Sequence, residues 1–274
     1  MAGFWSPGPV VLAGPCVLED EALNLRIARH LAELAVRLGI RIVYKASFDK
    51  ANRSSLEAQR GPGLETGMAA LARVRDETGL AVITDVHETW QVDRVAAVVD
   101  ALQVPAFLCR QTDLLTAVGG SGLPVNLKKG QWMHPESMAG AVEKVQRAGS
   151  GDVAVTERGT FFGYGDLVVD MRNFTRIRSA AGVPVLFDAT HSVQMPGMGP
   201  GGSSGGQRQY VPDLLRAAAA AGADGFFIET HPDPARAPSD GATMWPLQDL
   251  EPLLVGAREI WVRAHEKGEA CSSR

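Results

Sequence analysis

The sequence predicts an α/β protein folded as a single (β/α)8 TIM barrel that occupies residues 1–274. Two observations support this fold class. Short apolar runs recur eight times along the chain, and a longer stretch with apolar residues three and four positions apart follows most of them. The chain length divided among eight runs gives about 34 residues per repeat, which suits one strand and one helix of a closed barrel.

The apolar runs have the length and composition of strands that are buried on both faces, as in parallel sheets. We predict strands at Val10–Cys16, Arg41–Ser47, Ala81–Val86, Ala101–Ala106, Pro124–Lys129, Val153–Arg158, Pro184–Thr190 and Gly225–His231. The segments between them predict half-buried helices at Asp20–Leu38, Leu64–Thr78, Pro135–Ala148, Arg208–Ala221 and Leu247–His265. Glycines typical of helix C-termini follow four of these helices, at Gly39, Gly79, Gly149 and Gly222.

A doubly wound open sheet is the alternative architecture, and its diagnostic would be a glycine fingerprint directly after the first strand. The sequence there reads AGPCVLED, which lacks that fingerprint. We find no linker long enough to separate two domains. The glycine-rich stretch Pro196–Gly206 falls between the seventh strand and its helix. We expect it to be a flexible lid over the barrel mouth, the alternative being an inert surface loop.

Composition argues against several classes of protein. Apolar residues make up 45% and charged residues 21% of the chain, which disfavours intrinsic disorder, collagen-like repeats and coiled coil. The 27 basic and 31 acidic residues give a net charge of −4, and this acidic balance disfavours nucleic-acid binding. No apolar run reaches the ~18 to 20 residues that span a bilayer, so we expect no membrane insertion.

Two further features bear on the cellular compartment. The first residues, MAGFWSPGP, lack the pattern of a signal peptide, so we expect no secretion. The three cysteines Cys16, Cys109 and Cys271 cannot form a paired disulfide framework and match no CxxC metal motif. We therefore expect a reducing, cytoplasmic location.

Polar and charged side chains are concentrated at the C-terminal ends of the predicted strands, where the active site of a TIM barrel is built. The cations that we expect near this mouth are Lys45, Lys50, Arg53, Arg110, Lys128 and Arg158. Several cations held together favour an anionic ligand such as a phosphate or a carboxylate. The alternative is that they form structural ion pairs with Asp85, Asp188 and Glu157.

A second group of residues could hold a metal ion. Cys16, His191, Glu229 and Asp240 come from the first, seventh and eighth strands and from the loop after the eighth. A closed barrel makes these strands neighbours, and a sulfur, a nitrogen and two carboxylates suit a divalent transition metal. Taken singly, a cysteine at a strand end is more often a buried small hydrophobic residue, and a histidine a hydrogen-bonded one.

The sequence also carries a series of longer motifs. These are AGPC, KASFDKANRSS, ITDVHE, PAFLCRQTD, NLKKGQ, TERG, FGYGDLVVD, DATHSVQ and IETHPDP, and they extend over most of the chain. With them the sequence resembles the 3-deoxy-D-manno-octulosonate 8-phosphate synthase family. The resemblance implies a TIM barrel, a homotetramer, and the condensation of phosphoenolpyruvate with D-arabinose 5-phosphate and water for lipopolysaccharide biosynthesis.

The resemblance also implies roles for individual residues. The family has metal-dependent and metal-independent branches, which carry Cys or Asn after AGP, and Cys16 places this chain with the metal users. One divalent ion, such as Zn²⁺, Fe²⁺, Mn²⁺ or Co²⁺, is then expected at Cys16, His191, Glu229 and Asp240. The implied catalytic residues are Lys45, Asp85, His87 and His191. Ion pairing with the lysines is the alternative role of Asp85 and His87.

The implied substrate contacts fall into two groups. Lys128 and Arg158 would hold the phosphate of phosphoenolpyruvate, and Lys45 and Lys50 would face its carboxylate. Asn52, Arg53 and Ser54 would bind the pentose phosphate, and Arg110 would reach it from a neighbouring subunit. Gln103 and Ala106 complete the expected substrate-binding set.

Two alternative functions remain at this point. The related 3-deoxy-heptulosonate 7-phosphate synthases use erythrose 4-phosphate, but their second-strand segment resembles KPRTS, whereas this chain has KANRSS. The other alternative is a catalytically silent barrel that binds a sugar phosphate.

Overall fold

The computed structural model describes residues 3–6, 8–53, 56–199 and 204–271. Eight parallel strands form its central sheet. They are β1 Val10–Gly14, β2 Arg41–Lys45, β3 Ala81–Asp85, β4 Ala101–Val104, β5 Val125–Lys128, β6 Val153–Glu157, β7 Val185–Asp188 and β8 Gly225–His231. Each strand pairs with its sequence neighbour, and β8 pairs in parallel with β1 from Val10 opposite Gly225 to Gly14 opposite Glu229. The sheet is therefore closed, and the predicted (β/α)8 barrel is confirmed.

A helix follows each strand. The helices are α1 Glu21–Leu38, α2 Leu64–Thr78, α3 Val92–Ala96, α4 Thr112–Gly120, α5 Met138–Ala148, α6 Asn173–Ala181, α7 Val211–Ala220 and α8 Leu250–Cys271. The sequence did not predict α3, α4 and α6. These helices have only 5 to 9 residues, so they contain too few turns for a three-and-four spacing to stand out.

The strand boundaries differ from the prediction mainly at the C-terminal ends. The fourth strand was expected to reach Ala106, but β4 ends at Val104. Pro105 follows and has no N–H to donate to a sheet, and Ala106 begins a single turn of 3-10 helix instead.

Alternation along the strands places the apolar and polar layers of the barrel. Leu12, Val43, Ile83 and Phe227 face the interior and pack in one buried cluster, while their chain neighbours pack against the helices. Because side chains alternate with a period of two, the inward positions one step further along are Gly14, Lys45, Asp85 and Glu229. An apolar layer thus lies beneath a polar layer at the C-terminal mouth.

The opposite end of the barrel is closed by the N-terminal segment. Trp5 is buried and belongs to the interior cluster, and its Nε1 donates to the carbonyl of Asp152 at 3.1 Å. The guanidinium of Arg41 lies 4.4 Å from the centre of the Phe4 ring. The C-terminal mouth is therefore the end that remains open to a ligand.

The expected lid, Pro196–Gly206, is only partly described, because residues 200–203 lie outside the described residues. Gln194–Met195 and Gly205–Gly206 pair as short antiparallel strands at its base. Across the described parts of the chain, no helix combines the length and hydropathy that crossing a bilayer requires.

Candidate active site

The aromatic ring of Phe227 forms the floor of the mouth. The Nζ atom of Lys128 lies 3.6 Å from the centre of this ring, and Nζ of Lys45 lies 5.6 Å from it. Both lysines are almost fully buried. Cations over an aromatic face are attracted by its quadrupole, so Phe227 keeps two amino groups from separate strands at one place.

Each of these lysines has a carboxylate partner. Lys45 Nζ lies 3.2 Å from Oδ2 of Asp85, and Lys128 Nζ contacts Oδ2 of Asp188. Burial alone would raise the pKa of Asp85, but Lys45 and Lys50 hold it well below its usual range. The ion pairs considered as an alternative are thus present here. Glu157, in contrast, pairs with Lys129 and not with a cation of the mouth.

Lys128 differs from the other lysines of the mouth because burial lowers its pKa. Burial lowers its pKa to about 8, although the neighbouring Asp188 acts in the opposite direction. An ammonium group that is costly to keep charged gains more from an anionic ligand than a solvated one does.

A chain of hydrogen bonds between buried side chains fixes Asp85. Thr156 donates its hydroxyl to Oδ1 of Asn126 at 2.6 Å, and the Asn126 amide donates to Oε1 of Gln103 at 2.8 Å. Gln103 in turn donates to Asp85, which also accepts from Ser47. Each amide uses both its oxygen and its nitrogen, so its orientation is determined. We call these bonded residues, from Thr156 to Asp85, the amide chain.

Arg158 retains an unused donor at the mouth. Its side chain is buried, and Nη2 donates to Oε1 of Gln194, whose amide donates to Asp240 at 2.6 Å. Nη1 is buried without a hydrogen-bond partner among the described residues. Because burying an unpaired donor is costly, this atom is suited to an anion from outside the chain.

Three of the four expected metal ligands lie together beside these cations. Ligand atoms of Cys16, Glu229 and Asp240 are all within 4.8 Å of one another, and Sγ of Cys16 is 3.0 Å from Oδ2 of Asp240. The fourth expected ligand, His191, is not within that distance of all three, but its Nε2 lies 3.6 Å from Oε1 of Glu229. Its Nδ1 is 2.8 Å from Oδ2 of Asp188, the carboxylate–histidine pairing that commonly orients a metal-bound imidazole.

The donor set of this cluster fits a divalent cation. Both oxygens of the buried Glu229 carboxylate lack a hydrogen-bond partner among the described residues. Burial raises the pKa of the Cys16 thiol, and the carboxylates of Glu229 and Asp240 raise it further. A cation bound among these anionic ligands would reverse that effect, because a coordinating thiol is deprotonated.

The backbone of Asp240 is held in an unusual conformation. Its φ of 53° lies in the left-handed region, which non-glycine residues seldom adopt. Its side chain accepts hydrogen bonds from Ser239 at 2.8 Å and from Gln194 at 2.6 Å. Strain of this kind persists where surrounding contacts enforce it, and here it directs the carboxylate toward Cys16.

Lys50 and His87 lie at the edge of the site. Lys50 Nζ is 4.0 Å from Oε1 of Glu229. Burial alone would lower the pKa of Lys50, but Cys16 and Glu229 raise it. His87 packs edge-to-face on Phe48, and burial lowers its pKa, so the imidazole is neutral near pH 7.

The remaining expected residues are further from the floor. Asn52 is exposed on the loop after β2, and Ser54 lies outside the described residues. Arg53 follows Asn52, and its guanidinium donates to the hydroxyl of Ser239 at 2.7 Å and to the carbonyl of Gln59 at 2.8 Å. Arg110 is exposed and has no hydrogen-bond or ion-pair partner among the residues that the structure describes.

Comparison with known proteins agrees with this geometry. The sequence pattern described as the DAHP synthetase I family matches residues 7–263, which include every strand and every proposed ligand. The chain belongs to this family.

Several relatives named 2-dehydro-3-deoxyphosphooctonate aldolase are similar over most of the chain. The protein from Syntrophotalea carbinolica is 57% identical over 252 residues, which are 92% of this chain and 90% of the relative. One from Rhodopseudomonas palustris is 57% identical over 244 residues, covering 89% and 85%. One from Acidithiobacillus ferrooxidans is 54% identical over 244 residues, covering 89% and 86%.

Sequence reasoning missed four residues of the site in this member of the DAHP synthetase I family. Ser47 and Phe227 could have been found, because they are in phase with Lys45 and Glu229 on their strands. Asn126 lies inside a predicted strand but offers no charge to draw attention. Gln194 follows no strand end, and only its contacts with Arg158 and Asp240 reveal it.

Proposed function

We propose that the chain condenses phosphoenolpyruvate with D-arabinose 5-phosphate and water, giving 3-deoxy-D-manno-octulosonate 8-phosphate and phosphate, a step toward lipopolysaccharide. One observation carries the proposal. The lysines on Phe227 and the unpaired donor of Arg158 lie at the same mouth as the Cys16, Glu229 and Asp240 cluster and the neighbouring His191. The names of the similar proteins and the KANRSS motif support the choice of substrates.

The charges of the site support an anionic substrate. Glu229 and Asp240 would be metal ligands when the cluster holds a divalent cation. Asp85 and Asp188 neutralise Lys45 and Lys128, respectively. The four cations Lys45, Lys50, Lys128 and Arg158 outnumber Asp85 and Asp188 by two. A divalent ion held by the Cys16 thiolate, Glu229 and Asp240 would leave one negative charge, so the site keeps a net positive charge. Phosphoenolpyruvate has a phosphate and a carboxylate, so each of its two anionic groups can contact different cations of the site.

The cations orient phosphoenolpyruvate for attack. Lys128 and the free Nη1 of Arg158 would bind its phosphate, and Lys45 and Lys50 would bind its carboxylate. Asn52, Arg53 and Ser54, together with Ala106 and Gln103 near the rim, would position the pentose phosphate so that its aldehyde lies near C3 of the enol. Orientation of two bound reactants is itself a large part of catalysis.

The reaction then requires one new C–C bond and one broken C–O bond. C3 of the enol attacks the aldehyde carbon, whose oxygen takes up a proton, while water adds at C2 and loses one. The resulting phosphohemiketal releases phosphate by cleavage of the bond between C2 and oxygen. Neutral His87 can accept the proton of the water, and Lys45, which is paired with Asp85, would lie beside the developing negative charge.

The metal is part of the same proposal. Cys16, His191, Glu229 and Asp240 would hold one divalent ion of the Zn²⁺, Fe²⁺, Mn²⁺ or Co²⁺ type. Such an ion supplies Lewis acidity to the aldehyde, a lowered pKa to the attacking water, or orientation of the substrate. Asp188 holds the His191 ring in place for this role, so His191 would act as a ligand.

We also propose a homotetramer that works in the cytoplasm. Phe107 and Trp132 stack on each other with both rings exposed. Arg110 lies three residues beyond Phe107 and contacts no partner in the described part of the chain. A second subunit packed on these rings would bring Arg110 to its neighbour's pentose phosphate. Sedimentation measurements test the assembly, and a monomer with full activity would contradict it.

A comparison of aldoses tests the proposed reaction. Phosphate release from phosphoenolpyruvate should be much faster with arabinose 5-phosphate than with erythrose 4-phosphate, and mass spectrometry should identify an eight-carbon product. Preference for erythrose 4-phosphate would instead indicate a heptulosonate synthase. No phosphate release with any divalent metal would indicate a barrel that only binds a sugar phosphate.

A further inference from the structure

An ion pair lies directly behind the mouth and is not part of its surface. Lys129 and Glu157 are both fully buried, and Nζ of Lys129 lies 3.5 Å from Oε1 of Glu157. Both residues are adjacent in sequence to a cation of the mouth: Lys129 comes after Lys128, and Glu157 comes before Arg158. Alternation turns this pair away from the barrel interior, toward the helix layer.

The pair connects the two loops that leave β5 and β6. Lys129 Nζ donates to the carbonyls of Gly130 at 3.2 Å and Gly159 at 3.3 Å, and to the hydroxyl of Thr160 at 3.2 Å. Glu157 accepts from the N–H of Gly159 at 2.7 Å and from the Asn173 amide at 2.9 Å. The ammonium group and both carboxylate oxygens are therefore satisfied inside the protein.

These contacts enclose Arg158 on both sides. Glu157 precedes it, and Gly159 follows it and binds the pair through both its N–H and its carbonyl. Gly159 has a φ of 92°, and a Cβ at this position would lie 3.0 Å from Cβ of Leu167. Glycine is thus required for the backbone to turn here and present Arg158 to the mouth.

Stability alone does not explain a buried ion pair. Replacing such a pair by apolar residues of similar size is often neutral or stabilising, so a pair of this kind is better explained by the geometry that it imposes. We propose that Lys129 and Glu157 are positioning residues, which hold the backbone of Lys128 and Arg158 so that both cations meet one phosphate group. The inference rests on the proposed function for the identity of that phosphate.

Glu157→Gln, alone and in combination with Lys129→Met, tests the role of the pair. In Glu157→Gln the new amide can donate to Oδ1 of Asn173, which is buried without a partner in the described structure, so we expect the variant to fold. It leaves Lys129 without its counter-ion. We expect kcat/KM for phosphoenolpyruvate to fall on the order of 10- to 100-fold, with KM for the pentose phosphate within about twofold of wild type.

The double variant Lys129→Met and Glu157→Gln removes both charges and should recover part of the loss in folding stability but not the loss in phosphate affinity. Thr160→Val deletes one of the three acceptors of Lys129 and should weaken phosphoenolpyruvate binding in the same direction, by a smaller factor. Lys144→Met is the matched control, because Lys144 lies on the outer helix α5, where its Nζ donates to the hydroxyl of Thr112. It should leave both KM values unchanged.

Inorganic phosphate, titrated calorimetrically, separates this inference from the proposed reaction. If wild type releases no phosphate from phosphoenolpyruvate, the proposed function is wrong, but its affinity for inorganic phosphate can still be compared with that of Glu157→Gln. Weaker phosphate binding by a variant with a native circular dichroism spectrum supports positioning. A lowered melting temperature with unchanged phosphate affinity, in Glu157→Gln and in Thr160→Val, would show that the pair is only structural.

Discussion

The Nε2 atom of His191 faces Oε1 of Glu229 across 3.6 Å, and that carboxylate has no hydrogen-bond partner among the described residues. The half-buried His191 imidazole and the buried Glu229 carboxylate thus face each other without a hydrogen bond between them. Such an arrangement costs free energy unless a third species lies between them. A divalent cation coordinated by both would remove that cost.

Cys16→Ser should weaken metal binding and remove the sulfur-to-metal charge-transfer absorption of the Co²⁺-loaded protein, because the hydroxyl replaces the only thiolate in the cluster. Cys109→Ser is the matched control, since Cys109 is also a free, buried cysteine but lies outside the cluster. Its absorption should match wild type. An unchanged band in Cys16→Ser would exclude Cys16 as a ligand.

Asp188→Asn should lower metal affinity about 10- to 100-fold, because the carboxylate that orients the His191 ring loses its charge. Competition with a chromophoric chelator measures this change. Asp85→Asn removes another buried carboxylate, one that contacts Lys45 and not His191, so the metal affinity of this variant should stay near that of wild type. Equal losses in the two variants would argue against a specific role of Asp188.

Thr156→Val should destabilise the fold by about 1–3 kcal/mol, because it leaves Oδ1 of Asn126 buried without its donor and breaks the first bond of the amide chain. Thr84→Val is the control. Thr84 is equally buried, but its hydroxyl already lacks a partner in the described structure, so the substitution should be neutral or stabilising. Urea denaturation measures the free energy of unfolding of both variants. Equal destabilisation by the two substitutions would disprove the stabilising role of the amide chain.

Phosphoenolpyruvate binding should weaken as pH rises through about 8. Burial lowers the pKa of Lys128 to about 8 in the free protein, so above this pH the amino group is increasingly neutral. Binding of an anion then requires that Lys128 take up a proton. Calorimetric titrations from about pH 7 to about pH 9.5 measure the effect. Lys128→Arg stays protonated and should show a flat profile. A flat profile in wild type would mean that Lys128 remains charged.

The barrel could be predicted from the sequence because its strands are short apolar runs that are easily recognised. The predicted bounds of β8, Gly225–His231, and of α2, Leu64–Thr78, match the structure. Tertiary context was needed where the chain turns, as at Ala106, where the absence of an N–H on Pro105 ends the strand early.

The site could be predicted only in part. Barrel closure follows from the strand count, so the meeting of Cys16 with Glu229 and Asp240 could be expected before any coordinates. The amide chain could not, because it depends on the orientation of neutral side chains on different strands. The contact of Arg53 with Ser239 depends likewise on two loop conformations that no periodic pattern encodes.

Metal content and phosphate release, measured on one sample of purified protein, determine whether the Cys16 cluster holds an ion that the reaction needs. We expect about one divalent ion per chain, loss of phosphate release from phosphoenolpyruvate and arabinose 5-phosphate when EDTA removes it, and recovery when the ion is restored. Full activity in excess EDTA, with no metal detected by mass spectrometry, would contradict the account.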